Sequence, residues 1–299
     1  KEAALFCPSG TMSNQIGIRV HCQPGDEFLC ESGSHIYNYE QGAFAQLSGL
    51  VARCVEGQFG VVQPEQLVGL IRPDNEHQVR TRLVCLENTH NRGAGRVQPW
   101  ETVRAISAWA RANRLATHLD GARLFNAVVA TGIEARQWAD QFDTVSICFS
   151  KGLGAPVGSA LAGPRELIAK ARRARKLFGG GMRQAGVLAS AALYALQHHV
   201  KRLADDHEHA RLLANLITAT DGLSLVSPLV ETNILFVKIA PRLGSAAEFS
   251  QRLRSLGVLT LALGPDSIRL VTHLDVSREQ IAAAGRAIQA AASRTGNAA

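Results

Sequence analysis

The distribution of apolar and polar residues divides the chain into two regions. In residues 1–175, short apolar runs typical of buried strands are separated by longer segments in which apolar residues recur every three or four positions. The apolar runs predict strands at residues 27–31, 82–87, 115–120, 145–149 and 157–162. The longer segments predict helices at residues 13–21, 42–50, 99–113 and 164–176. Such alternation indicates a mainly parallel sheet with helices on both faces.

The pattern changes beyond residue 185. Residues 185–219 predict one or two long helices, and the following segment predicts strands at 233–239, 258–261 and 267–271, with helices at 245–256 and from 277 onward. We therefore expect an α/β fold with a large domain at residues 1–220 and a small C-terminal α+β domain at residues 221–299. The opening residues, KEAALFCPSG, suggest the middle of a helix and a chain that lacks residues upstream.

Composition narrows the class of protein. The chain has 299 residues, 46% of them hydrophobic, and no apolar run approaches the roughly 20 residues that cross a bilayer, so we expect no membrane association. The net charge of +7 is compatible with binding of nucleic acid and equally with binding of anionic metabolites. The six cysteines form no CxxC pair, which favours buried reduced thiols in a cytosolic protein over disulfides or a zinc site.

Two predicted strands end in residues that carry chemistry. Asp120, in THLDGARL, ends a buried strand, and ligands bind beyond the carboxyl ends of parallel strands. The alternative is that Asp120 caps a helix that begins at Gly121. Lys151, in VSICFSKGLG, follows the next apolar strand, where a partly desolvated amine suits covalent bonding to an aldehyde. The alternative for Lys151 is a side chain that extends from the strand end into solvent.

Taken together, these two residues indicate a cofactor. A carboxylate for a pyridinium nitrogen and a lysine for an aldehyde are what pyridoxal phosphate requires. The cofactor also carries a phosphate, and the first N–H groups of a helix bind anions well. Ser9, Gly10 and Thr11 precede a predicted helix and supply such a site, although a glycine turn before a helix is common.

Longer segments carry a more specific signal: CPSGTMSNQ, SHIYNYEQGA, LENTHN, HLDGARLFNAV, SICFSKGLGAPVGS, GGGMRQ and IRLVTHLDVS. In these segments, and over essentially its whole length, the chain resembles the low-specificity L-threonine aldolases. Members of that family are pyridoxal-phosphate-dependent lyases with the aspartate aminotransferase fold (fold type I). The resemblance implies the same fold, the same cofactor and the reversible cleavage of β-hydroxy-α-amino acids, such as threonine and allo-threonine, to glycine and an aldehyde.

The resemblance also implies roles for individual residues. Lys151 would bond to the cofactor, Asp120 would pair with its ring nitrogen, and Arg123 would lie beside its ring hydroxyl. The remaining assignments are Gly10 and Thr11 at the phosphate, His35 stacked on the ring, His77 near the substrate hydroxyl, Arg269 at the substrate carboxylate, and Lys176 and Arg183 at the active site of a neighbouring subunit. We therefore expect a cytoplasmic homotetramer with shared active sites.

Simpler interpretations exist for several of these residues. His35 and His77 could be loop histidines at the surface, and Arg269 could form a structural salt bridge. The basic run at 170–176 is more typical of a solvated helix face than of a nucleic-acid site, since no aromatic residue interrupts it. The histidines between residues 198 and 209 lie among charged residues, and we expect no metal site there.

Two departures from the family pattern are visible. The family begins a few dozen residues earlier, with a segment that helps to shape the substrate site, and this chain starts after it. The turn at residues 92–96, RGAGR, is longer than the family's usual turn, and we expect a surface insertion. Two other functions stay open. Another pyridoxal-phosphate reaction, such as β-elimination or racemisation, is possible because Lys151 and Asp120 would serve all of them, and the missing upstream segment leaves open a basic binding protein without catalytic activity.

Overall fold

The computed structural model describes residues 1–293 and divides the chain into two compact units, residues 1–201 and residues 202–299. The division lies earlier than the predicted boundary at residue 220. The difference arises because the helix Leu203–Thr218 buries Leu213 and Ile217 in the core of the second unit. Within residues 1–293, no helix combines the length and the apolar composition needed to cross a membrane.

The first unit, described in full, alternates strands and helices. Its strands are β1 (Ala3–Cys7), β2 (Glu27–Glu31), β3 (Val51–Val55), β4 (Thr81–Glu87), β5 (Ala116–Gly121), β6 (Thr144–Cys148) and β7 (Ser159–Gly163). Its helices are α1 (Gly10–Arg19), α2 (His35–Asn38), α3 (Ala43–Ser48), α4 (Trp100–Ala112), α5 (Leu124–Thr131), α6 (Ala135–Asp140), α7 (Arg165–Leu177) and α8 (Gly186–His198), with a short 3₁₀ helix at Pro64–Leu67.

The strands of the first unit form one seven-stranded sheet in the order β1-β7-β6-β5-β4-β2-β3. Strands β2 to β6 pair in parallel, and β7 pairs antiparallel with both β6 and β1. The prediction of a mainly parallel sheet is confirmed. The five residues of β2 are all buried, and its interior, Phe28, Leu29 and Cys30, is a short apolar run, as expected of a strand that is covered on both faces.

The prediction of a helix at the start of the chain is wrong. Residues Ala3–Cys7 form β1, in which Leu5 and Cys7 alternate inward and pack against Ile16 and Leu161. This period of two is the pattern of a strand with one buried face. Strand β3 also escaped prediction, because it lies at the sheet edge and Val51 is exposed.

The turn at residues 92–96 is not a surface insertion. Gly93, Ala94 and Gly95 are buried, although Arg92 is exposed. A Cβ at Gly93 would collide with the carbonyl group of Phe59, so the turn packs closely against a neighbouring loop. The glycine content that suggested an exposed loop instead allows this close packing.

The described part of the second unit, residues 202–293, contains an antiparallel four-stranded sheet in the order β10-β11-β9-β8. The strands are β8 (Leu223–Leu225), β9 (Ile234–Ile239), β10 (Leu261–Leu263) and β11 (Ser267–Val271), with helices α9 (Leu203–Thr218), α10 (Ala246–Ser255) and α11 (Arg278–Ser293) and a 3₁₀ helix at Pro241–Leu243. The strand predicted at 258–261 begins later, because Leu261 is the residue that pairs with Arg269.

Candidate active site

The carboxyl ends of four parallel strands bring polar side chains to one edge of the first sheet. Glu31 ends β2, Glu87 ends β4, Asp120 lies near the end of β5, and Cys148 ends β6. Glu87 and Asp120 are register partners in neighbouring strands. Ligands of open α/β sheets bind beyond this edge. The edge is therefore the candidate active site, and Asp120 lies in it as the sequence predicts.

Asp120 is 3% exposed and its carboxylate is held on both oxygens. The backbone N–H of Ala122 donates to Oδ1 at 3.0 Å, and Nδ2 of Asn14 donates to Oδ2 at 2.8 Å. The bond to Ala122 is the local turn expected of an aspartate at the end of a strand. The bond from Asn14 comes from α1 and fixes the carboxylate in one orientation.

The orientation of Asn14 follows from a chain of buried hydrogen bonds. Because Nδ2 of Asn14 serves the carboxylates, Oδ1 accepts from Nε2 of His118 at 3.3 Å. Nδ1 of His118 then accepts from the hydroxyl of Thr144 at 2.9 Å, and that hydroxyl accepts from Nε2 of His21 at 2.8 Å. Each polar atom in the chain therefore has one consistent role.

His118 fits this role only in its neutral form. Burial lowers its pKa to about 3, with a further lowering from His21 that Asp120 opposes. The ring lies directly against Gly17 of α1, where a Cβ would be 2.7 Å from Nδ1. A glycine at residue 17 is therefore required for His118 to reach Asn14.

His35 lies beside this network. Its Nδ1 is 3.0 Å from Oε1 of Glu40, and its backbone N–H donates to Oε2 of Glu87 at 2.7 Å. The hydrogen bond to Glu40 raises the pKa of His35; burial opposes this, and Asp120, Glu40 and Glu87 add to it as negative charges. The side chain of His35 is 31% exposed, so part of the ring is open to solvent.

Ligand atoms of His35, Glu40 and Asp120 lie within 4.8 Å of one another, a spacing that a metal ion could use. Asn14 Nδ2 donates to both carboxylates, at 2.9 Å to Glu40 and 2.8 Å to Asp120. Glu40 and Asp120 are thus joined through the amide of Asn14, and His35 is also bonded to Glu40. Such hydrogen bonds can stabilise buried carboxyl groups without a cation.

Lys151, Arg123 and Gly10 converge on Cys148. Burial raises the pKa of the Cys148 thiol; the charges of Lys151 and Arg123 oppose that rise, and Asp120 adds to it. A Cβ at Gly10 would lie 2.6 Å from Sγ of Cys148, so the start of α1 meets the end of β6. The structure therefore brings together Gly10, Asp120, Arg123 and Lys151.

The start of α1 has the geometry of an anion site. Ser9 is the N-cap, and its side chain accepts from the N–H of Met12 at 3.2 Å. Gly10 and Thr11 follow as the first helical residues, and the first N–H groups of a helix have no acceptor within it. These N–H groups and the helix dipole favour a phosphate at this point.

Of the other predicted residues, three lie elsewhere in the first unit and one lies in the second unit. His77 lies on a loop with its side chain 83% exposed, 3.6 Å from Glu76. Lys176 and Arg183 are exposed, and Lys176 lines a basic groove of about 800 Å³ with Arg19. Arg269 lies in β11 of the second unit, where Leu261 and Phe236 are its register partners.

The structure adds residues that the sequence did not single out: Asn14, Glu40, Glu87, His118 and Cys148. All five lie inside segments that carry the resemblance, which is the signal that could have drawn attention to them. No local pattern marks them further, since each acts through a partner on a distant element.

The chain is similar to known proteins over most of its length. A model of the β-eliminating lyase family matches residues 1–240. The low specificity L-threonine aldolase of Escherichia coli K12 is 42% identical over 283 residues, which cover 94% of this chain and 82% of that protein. The low-specificity L-threonine aldolase 1 of Arabidopsis thaliana is 38% identical over 287 residues, covering 94% and 80%.

Solved structures confirm the fold. A threonine aldolase of Leishmania major superposes with a TM-score of 0.83 at 21% identity and covers 98% of this chain and 84% of its own. An aspartate aminotransferase of Thermus thermophilus superposes with a TM-score of 0.71 at 18% identity, covering 96% and 79%. With the family match and the identity to the curated relatives, the chain belongs to the β-eliminating lyase family and, within it, to the low-specificity L-threonine aldolases.

Proposed function

We propose that the chain cleaves β-hydroxy-α-amino acids, above all L-threonine and L-allo-threonine, to glycine and an aldehyde with pyridoxal phosphate as cofactor. The observation that carries this proposal is the buried carboxylate of Asp120, fixed on both oxygens near the end of β5, with Lys151 following the end of the neighbouring strand β6. The names of the curated relatives support the choice of substrate.

The residues present fit pyridoxal phosphate. The start of α1 at Gly10 and Thr11 suits the phosphate, and the absence of a side chain at Gly10 permits its contact with Cys148. Asp120 supplies a buried anion for the ring nitrogen, and Arg123 lies close enough to Asp120 and Glu87 for their charges to act on it. Lys151 supplies the amine for the aldehyde.

Each residue then has a definite task. When bound, the cofactor supplies an electron sink for the pair left on the α-carbon of the substrate. Asp120 would hold a proton on the ring nitrogen, because an anion there favours the charged form. His35 would pack on the ring face, and a histidine is suited to accept the β-hydroxyl proton near neutral pH. On the resemblance alone, we assign the substrate carboxylate to Arg269 and the substrate hydroxyl to His77.

Product analysis tests the proposal. The purified chain, supplied with pyridoxal phosphate, is incubated with L-threonine and with L-allo-threonine, and acetaldehyde, glycine, ammonia and 2-oxobutanoate are quantified. Acetaldehyde and glycine in equal amounts are expected. Ammonia with 2-oxobutanoate would show that the chain catalyses β-elimination instead, and absence of all four products would show that it lacks catalytic activity.

We also propose a cytoplasmic homotetramer whose active sites receive Lys176 and Arg183 from a neighbouring subunit. The exposure of both side chains supports this, since neither is needed within its own subunit's core. Light scattering should give about four times 32.0 kDa. Mixing Lys151→Ala with Arg183→Ala subunits should restore activity if sites are shared, and no restoration would contradict the shared site.

A further inference from the structure

Glu40 is a buried carboxylate that the proposed reaction does not use. It is 2% exposed and follows α2, the helix that begins with His35. Three side chains donate to it: Nδ1 of His35 at 3.0 Å and Nδ2 of Asn14 at 2.9 Å to Oε1, and Nε2 of Gln15 at 2.5 Å to Oε2. Burial raises the pKa of the Glu40 carboxyl, and the hydrogen bonds from His35, Asn14 and Gln15 oppose that rise. The three donors hold the carboxyl group in one orientation.

The position of Glu40 is set by α1. Asn14 and Gln15 are consecutive residues of that helix, and both are almost fully buried. Asn14 is itself fixed by His118, so Glu40 is bonded to a part of the molecule that packing already holds. The short helix α2, by contrast, has only Ile36 buried. Glu40 therefore connects a lightly packed segment to a rigid one.

The hydrogen bond between Glu40 and His35 determines which nitrogen of His35 faces the site. With Nδ1–H directed at Glu40, the proton on Nδ1 is fixed, and Nε2 makes no hydrogen bond within residues 1–293. Carboxylate partners commonly fix the tautomer and ring orientation of functional histidines in this way. Ring stacking and proton transfer both need one orientation of the imidazole.

We propose that Glu40 is a positioning residue for His35, which fixes the ring plane and the Nδ1 proton while Nε2 faces the reacting groups. The role of Glu40 in cleavage rests on the proposed function. Its hydrogen bond with His35 does not depend on that function. The charged groups that face His35 are Glu40, Asp120 and Glu87. Of these, Glu40 forms the side-chain hydrogen bond that raises the pKa of His35 most.

The test is Glu40→Gln, which keeps the size of the side chain and removes its charge. The ring proton of His35 is followed by NMR against pH, first without cofactor, and its signal is assigned by its loss in His35→Gln. The titration midpoint of His35 should move to lower pH, since the carboxylate that stabilises the imidazolium is gone. An unchanged midpoint would overturn the proposal. This measurement does not require activity, so it is separate from the test of the proposed function.

Kinetics give the second readout. In Glu40→Gln, kcat for threonine should fall about tenfold or more, since a displaced acid–base group loses part of its usual 10²–10⁴ contribution. In a His35→Phe background the same change should have little further effect, because both act through one unit. Equal losses in the two backgrounds would mean that Glu40 acts independently of His35.

A matched control is Glu27→Gln. Glu27 is a fully buried carboxylate at the other end of β2, where it accepts from Thr81 at 3.0 Å and pairs with Arg72 at 2.9 Å. The Glu27→Gln substitution should lower the free energy of unfolding. It should leave the titration midpoint of His35 unchanged and should reduce kcat less than Glu40→Gln does. Glu40→Asp keeps the charge and should retain more of the raised midpoint than Glu40→Gln. If Glu27→Gln reproduces the effects of Glu40→Gln, the role of Glu40 is merely structural.

Discussion

The contact between Gly17 and His118 offers a sharp test of the buried hydrogen-bond network. In Gly17→Ala, the new Cβ would collide with Cε1 of His118 and would lie 2.7 Å from its Nδ1, whereas ordinary contacts begin at 3.4 Å. The ring would have to move away from α1 by about 1 Å to restore an ordinary contact with Cε1. Asn14 lies on the same helix, so its 3.3 Å bond to His118 would lengthen to about 4 Å and be lost.

The energetic balance can be worked out from these contacts. Overpacking of a close-packed site costs about 1–3 kcal/mol, and loss of one hydrogen bond about 1 kcal/mol. The higher helix propensity of alanine relative to glycine stabilises the helix by about 1 kcal/mol. We expect Gly17→Ala to be less stable by about 1–3 kcal/mol, which lowers the melting temperature by about 3–10 °C. Because Asn14 also orients Asp120, cofactor affinity should fall as well.

The assay is thermal unfolding followed by circular dichroism, with the dissociation constant of pyridoxal phosphate measured by absorbance. Gly186→Ala is the matched control, because Gly186 is also helical and nothing lies within 4 Å of its added Cβ. If Gly17→Ala melts no lower than Gly186→Ala and binds the cofactor as tightly as the parent, the network does not depend on the position of His118.

Further predictions concern the site itself. Lys151→Ala should lose the visible absorbance band of the bound cofactor and its turnover of threonine; turnover near the parent rate would show that another amine bonds the cofactor. Asp120→Ala should lose most of kcat while the band persists, since a ring without its anion is a weaker electron sink; an unchanged kcat would reduce Asp120 to a turn residue. His35→Phe should keep much of the cofactor affinity through stacking, whereas His77→Phe should lower kcat about tenfold with unchanged cofactor binding; a double variant as active as the parent would exclude both histidines as the base. Because burial lowers the pKa of His118 to about 3, the unfolded chain alone takes up this proton as pH falls below about 6.5. The contribution of His118 to the free energy of unfolding should therefore fall by about 1.4 kcal/mol for each unit that the pH is lowered. In urea unfolding, the free energy of unfolding of His118→Gln should depend less steeply on pH than that of the parent. Parallel pH dependences of the two proteins would contradict this prediction.

Much of the fold follows from local patterns. The runs around Cys85, Leu119 and Val145 are apolar because those strands are buried on both faces, so their positions and the parallel sheet could be predicted. Elements at the sheet edge and at the boundary between the two units were harder to predict. Strand β3 exposes Val51, so it lacks the apolar run of a buried strand. Helix α9 belongs to the second unit because of the face that it buries there, and composition along the chain does not reveal which core a helix face packs against.

The sequence by itself determined that Asp120 and Lys151 lie at the ends of neighbouring strands, because strand ends are encoded by the local change from apolar to polar residues. Only the tertiary structure decided what surrounds them. Asn14 reaches Asp120 across 106 positions and Glu40 across 26, and His118 fits because residue 17 is glycine. Such contacts depend on how α1 packs against the sheet, and packing between distant elements leaves no periodic trace in the sequence.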